Sequence, residues 1–250
     1  MEDEADHMKK AFGVKDYWKM FLKRGPRLPL CYFIENHLFD IKHGTDTHER
    51  LPLEDYIDQP GNLKYGVLYM SSWTSIIRKS TSRVLDLIGD PEGRVDFMDV
   101  GCGKGKVLLV WAEMLSGIGW ARILGIDYSD ELLAICRVNL DRLGLQGISL
   151  WNKDATNVDP QDLAQTLVLY LYNPFQKEIL ARFLEKLEGK EAWLIYNNPV
   201  NEPVVLAQGF QKVFSSNGWH PNAHYTIYKK EQTRTLPFTG QGQHEKSQSQ

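Results

Sequence analysis

Cysteine is scarce in this 250-residue chain: Cys31, Cys102 and Cys136 stand apart, with no CxxC pair. That spacing speaks against a disulfide framework and against a thiolate zinc site. Long apolar runs are missing too. None approaches the roughly 20 residues needed to span a bilayer, so no membrane partner is expected. Nor is there an excess of either charge, since 29 Lys and Arg face 32 Asp and Glu for a formal net charge of -3. Such a balance does not favour bulk nucleic-acid binding by counterion release, which puts protein or a small molecule ahead of RNA as the partner. The acidic opening MEDEADHMKK has no apolar core of the secretory kind, and the expected location is the cytoplasm.

What the chain does contain is alternation. RVDFMDV (94–100), ARILGID (121–127), ISLWNKD (148–154), TLVLYLYN (166–173) and EAWLIYNN (191–198) read as strands. Between them, KVLLVWAEMLSG, SDELLAICRVNLDRLG, QKEILARFLEKLEG and NEPVVLAQG read as helices, with Ser129 as an N-cap and Gly144 as a stop. This order predicts an α/β fold, a doubly wound and mostly parallel sheet of seven strands. The last two strands, FQKVFSS and AHYTIYKK, turn around Asn217 and Gly218, too short a link for a helical crossover. They are expected to form a C-terminal antiparallel hairpin.

The α/β domain is assigned to residues 61–230 and opens on a long helical pattern, YGVLYMSSWTSIIRKSTSRVLDLIG. Residues 1–60 read as a partly disordered N-terminal extension, with a helix over VKDYWKMFLKRG and a loop over FDIKHGTDTHERLPLEDY. The polar residues 231–250 read as a disordered tail.

The chemistry is expected at FMDVGCGKGKVLLV, where the first strand turns into its helix. Ligands of open α/β sheets sit beyond the carboxyl ends of the strands, beside this turn. A phosphate loop needs GxxxxGK followed by Ser or Thr, and the spacing from Gly101 to Gly105 does not supply it. A dinucleotide fingerprint would need glycine where Lys106 stands. The third pattern is an acid followed by GxGxG: Asp99, Gly101, Gly103 and Gly105. In this it resembles the class I methyltransferases that use S-adenosylmethionine (SAM), and the resemblance covers roughly residues 60 to 230.

That resemblance implies a glycine turn lying beneath a sulfonium amino acid, with Asp99 suited to the ammonium end. It assigns Asp127, at the end of the second strand, to the ribose hydroxyls and Tyr128 to the adenine ring. Asp154, with Ala155 beside it, would read the adenine amino group. The N-terminal stretch HGTDTHERLPLEDY reads either as a lid over the cofactor, with Thr47 or Tyr65 contributing to the methionine end, or as a solvated connector. YLYNPFQK resembles the Asn/Asp-Pro-Pro-Tyr/Phe signature of amino-directed methyltransferases. Asn173, Pro174 and Phe175 match it, but the second proline is missing. The implied acceptor is an amino nitrogen of a protein side chain or small molecule, with Tyr196 and His220 as candidate helpers that also have structural readings. His43, Asp46 and His48 match no familiar metal-ligand spacing, and no metal is expected. The competing readings are an NAD-dependent oxidoreductase and a methyltransferase-like scaffold that only binds.

Overall fold

A computed structural model describes residues 14–48 and 71–232 of the chain. Tyr65, the first part of the predicted helix over 65–89, residues 1–13 and 49–60 of the predicted N-terminal extension, and residues 233–250 of the predicted tail lie outside the described residues.

Seven strands form one sheet: β1 (Val95–Val100), β2 (Ala121–Asp127), β3 (Ser149–Asn152), β4 (Thr166–Leu171), β5 (Glu191–Asn197), β6 (Gln211–Ser215) and β7 (Tyr225–Lys230). Their order is β3-β2-β1-β4-β5-β7-β6. The first five run parallel, as the intervening helices require, whereas β7 pairs antiparallel with both β5 and β6. The expected terminal hairpin is therefore present. Its later strand inserts next to β5 and leaves the exposed β6 at the edge.

β1 is buried along its whole length, and β4 along all but its first residue. This is why β4 is a nearly continuous apolar run rather than an alternating one, whereas β1 buries two acids, Asp96 and Asp99, among its apolar residues. Successive side chains feed two cores. Val95, Phe97, Val168, Tyr170 and Ile195 face one side, and Met98, Val100, Leu167, Leu169 and Leu194 face the other. Asp99 shares the Phe97 face by the two-residue period of a strand. It is thus an acid at the carboxyl end of a central strand, in register with Tyr170 of β4.

Helix α1 (Val14–Arg24) stops at Gly25 and Pro26 as predicted. A nearly continuous helical run follows: α2 (Arg27–Tyr32), a π-helical turn (Phe33–Leu38) and α3 (Phe39–His43). The loop expected from Phe39 onward is corrected here, because its first five residues are helical. Gly44, at φ +65°, ends them in a left-handed cap. Tyr17 lies 5.7 Å from His37, ring to ring, so α1 folds back along this run. Leu28 and Phe39 enter the same core as Phe97.

Helix α4 (Thr74–Ile88) precedes β1, and α5 (Lys106–Met114) follows the glycine turn. Helix α6 (Asp130–Arg142) is capped by Ser129, whose hydroxyl accepts from the Leu132 amide at 3.2 Å. Helices α7 (Lys177–Glu185) and α8 (Glu202–Ala207) complete the cover.

Candidate cofactor and acceptor site

The glycine turn needs its glycines for two separate reasons. Gly101, Gly103 and Gly105 all have positive φ, at +77°, +49° and +87°, where side chains with a Cβ are strained. There is also no room. A Cβ on Gly101 would lie 2.6 Å from Cβ of Pro174, and one on Gly105 would lie 2.4 Å from Sγ of Cys136. The Gly101 contact presses the turn against the Asn173-Pro174-Phe175 loop beyond β4. The turn is tied to β2 through the Gly101 and Cys102 amides, which both donate to the Ile126 carbonyl at 2.9 and 3.0 Å.

Asp127 sits at the centre of this arrangement. One carboxylate oxygen accepts from the Gly103 amide at 2.8 Å and the other from the Ser129 amide at 2.9 Å. Burial pushes its pKa up to about 6, against the opposing pull of the Ser129, Gly103 and Tyr128 amides. A carboxylate has about four acceptor positions, so with these amides bound it keeps capacity for a ligand hydroxyl. Asp99 is buried beside it. Burial first, and then the Asp127 charge, hold the Asp99 carboxyl well above the usual range, and no positive group among the described residues offsets either effect.

The Lys153 amide donates to the Asp127 carbonyl at 3.0 Å, which places Asp154 next to the same strand end. Asp154 caps a short 3₁₀ turn, accepting from the Thr156 amide and hydroxyl, both at 2.8 Å, and Ala155 is buried beneath it. Tyr128 is half-buried, and burial raises its pKa to about 12, so the hydroxyl keeps its proton at neutral pH.

Asn173 stands just past β4 in the left-handed region, at φ +47°. Its amide nitrogen donates to the Asn198 carbonyl at 2.8 Å, but its Oδ1 is buried with no hydrogen-bond partner. An unpartnered buried acceptor costs about 1–3 kcal/mol, so it stands ready for a donor. Asn173 and Phe175, with Val200 and Asn201, line a cavity of about 490 Å³.

The N-terminal segment reaches this site in a way its sequence did not disclose. The ammonium of Lys104, inside the glycine turn and only 2% exposed, pairs with Asp46 at 3.0 and 3.1 Å. Asn139 of α6 staples the two together. It accepts from the Asp46 amide and donates to the carbonyls of Asp46 and Lys104, all within 3.0 Å. The Thr47 amide and hydroxyl both go to Asp40, at 3.0 and 2.8 Å. His48 contacts the same carboxylate at 2.5 Å. Lys106 is buried too; it donates to the Glu35 carbonyl at 2.5 Å, and burial lowers its pKa to about 8.

The two candidate helpers have structural partners. Tyr196 is 1% exposed and bonded to Asn201. His220 stacks on Trp73 at 5.4 Å and accepts from the Asn222 amide. Lys104 and Asn139 were not anticipated, and only contact across 58 and 35 residues of sequence reveals their link.

Residues 97–188 match a family model described as a methyltransferase domain. Over that span the chain is similar to methyltransferase domains. The matched span runs from the middle of β1 to the end of α7 and so contains the glycine turn, Asp127, Asp154 and Asn173. Nocamycin O-methyltransferase of Saccharothrix syringae is 32% identical over 83 residues, which is 33% of this chain and 29% of that protein. The chain therefore spans less than a third of that curated relative.

Among solved structures, the ribosomal protein L11 methylase of Lactobacillus delbrueckii subsp. bulgaricus aligns with TM-score 0.44 and 16% identity, covering 64% of this chain and 78% of that one. An RNA methyltransferase of Salinibacter ruber in complex with S-adenosyl-L-homocysteine aligns with TM-score 0.43 and 19% identity, covering 64% and 95%. The likeness to a methyltransferase domain rests on the family model over residues 97–188 and not on these alignments.

Proposed function

We propose that the chain transfers a methyl group from SAM to an amino nitrogen. One observation carries the acceptor half: the buried, unpartnered Oδ1 of Asn173, on a loop packed directly against Gly101. The donor half is supported by the fit of the cofactor to the turn. The glycines leave a cradle that a Cβ would fill, and Asp99 is a buried acid with no cation, as an ammonium-bearing ligand requires. Asp99 and the turn would hold the amino-acid end, Asp127 the ribose, and Tyr128, Asp154 and Ala155 the base. Thr47 and Tyr65 are proposed for the methionine end.

When bound, SAM supplies an activated methyl group on a sulfonium. The chain's own residues then need only bind and orient. Asn173 Oδ1 accepts a hydrogen from the target nitrogen and so directs its lone pair. Phe175 offers an apolar wall to the acceptor.

The nocamycin enzyme is named for an oxygen acceptor. A hydroxyl could also donate to Asn173 Oδ1, so O-methylation is the second reading. Tests with labelled SAM and fractionated protein, RNA and metabolites, followed by linkage analysis of the product, separate these outcomes. Label in a nitrogen-linked methyl supports the proposal, and label only in ester or ether methyls overturns its acceptor half. Thermal shift should show stabilisation by SAM and S-adenosylhomocysteine but not by NAD. Stabilisation by NAD alone would overturn the donor half, while cofactor binding without labelled product under any condition would favour a scaffold.

A further inference from the structure

Fifteen large apolar side chains are exposed among the described residues, and nine of them lie between Val14 and Ile41. In α1 they are Val14, Trp18, Phe21 and Leu22, spaced 4, 7 and 8 residues from the first, which is one stripe of a helix. Trp18 is 62% exposed and Leu22 66%. The helical run after Pro26 repeats the pattern with Leu30, Phe33, Ile34, Leu38 and Ile41.

The fold does not need these residues inward. Met20, Leu28, Cys31, Tyr32 and Phe39 already anchor the layer to the core from its other side. The apolar stripe of α1 is bordered by an exposed basic row, Lys15, Lys19 and Lys23, spaced four residues apart so that all three share a side of the helix. No helix among the described residues is long and apolar enough to cross a membrane. That bears on spanning, not on lying in the interface, so the expectation of no membrane partner, drawn from the want of a spanning run, does not extend to this face.

We propose that the apolar stripe of α1, with its lysine row, binds in the plane of an anionic lipid bilayer. The charge pattern favours that occupant over a second copy of the chain. Two copies meeting through the stripe would bring their lysine rows towards one another, whereas anionic headgroups neutralise the same rows. Trp18 and Phe21 supply the aromatic apolar bulk that settles at the acyl–headgroup boundary, with lysines on the polar side. The proposal is independent of the methyl-transfer reading.

Flotation of the full chain with vesicles of phosphatidylcholine alone, or with about 30% phosphatidylglycerol added, tests it. The chain is expected to float with the anionic vesicles, remain unbound with the neutral ones, and release as salt rises. The double substitution Lys19→Glu with Lys23→Glu should weaken partitioning by about thirtyfold or more. Trp18→Ser with Phe21→Ser should abolish it. Melting temperatures should hold for both pairs, since all four side chains are exposed. Absence of flotation with anionic vesicles would overturn the proposal, and so would binding that ignores both substitutions. A concentration-dependent dimer in light scattering, returned to monomer by Trp18→Ser with Phe21→Ser, would assign the face to a second copy instead.

Discussion

Asp127 has two demands placed on one carboxylate. It must accept from the Gly103 and Ser129 amides to shape the turn, and it is proposed to accept from a ribose. Its burial raises the pKa to about 6, so the folded chain holds this proton more tightly than the unfolded chain does. Between the ordinary Asp range and pH 6 the folded state therefore binds more protons, and this group's contribution to ligand-free stability falls as pH rises. Cofactor binding should run the other way, because hydroxyl donors favour the ionised form. The affinity for S-adenosylhomocysteine, measured by calorimetry, is expected to be constant above about pH 7 and to weaken below about pH 6, by up to tenfold per pH unit. Asp127→Asn should bind more weakly at every pH, with a flatter profile. A flat profile in the unsubstituted chain would remove the charge of Asp127 from the account.

At the scale of elements, the glycine turn is held from three directions: by β2 below, by the Asn173-Pro174 loop beside it, and by the segment after α3 through Asp46. The Lys104–Asp46 pair is lopsided, since the lysine is 2% exposed and the aspartate 45%. Removing its two ends should therefore have unequal effects. Asp46→Asn leaves a buried ammonium facing a neutral amide, at a cost of about 1–3 kcal/mol. Lys104→Met leaves a half-exposed carboxylate that water solvates, and a side chain of similar length in the cavity, at a cost of under about 1 kcal/mol. Urea unfolding of the two variants measures this difference directly. Equal losses would show that the pair acts as a surface ion pair.

These tethers also mark where the sequence stops being legible. The strands and helices after Arg94 could be read because their periodicity is local, and so could the Ser129 cap. Asp46, Lys104 and Asn139 could not, because their partners lie 58, 93 and 35 residues away along the chain. The five residues Phe39–His43 look like loop because the segment that follows them is polar and punctuated. They are helical because Phe39 enters the core and Asp40 is buried as the acceptor for Thr45, Thr47 and His48. Asn173 was legible as a motif. That its Oδ1 lacks a partner could be known only from the fold.

The molecule as a whole depends on the N-terminal helical layer as part of its core. Leu28 and Phe39 are 7% exposed and join the cluster that holds Ile77, Phe97 and Trp111. Losing side chains of this kind from a core costs about 2–5 kcal/mol each. The layer also supplies the Glu35 carbonyl and Asn36 side chain that satisfy the buried Lys106 ammonium, and the Glu35 carboxylate that accepts from the Ser75 amide in the first turn of α4. A chain shortened to begin at Gly44 would forfeit all of these at once. Summed, the loss is on the order of the 5–15 kcal/mol that holds a typical domain folded. The shortened chain is therefore expected to show no cooperative melt and no stabilisation by S-adenosylhomocysteine. Leu28→Ala in the full chain should give a graded version of the same effect, lowering the melting temperature by several degrees while the ligand still binds. If the shortened chain melts cooperatively at an unchanged temperature and keeps its ligand shift, the sheet and its glycine turn stand without the layer.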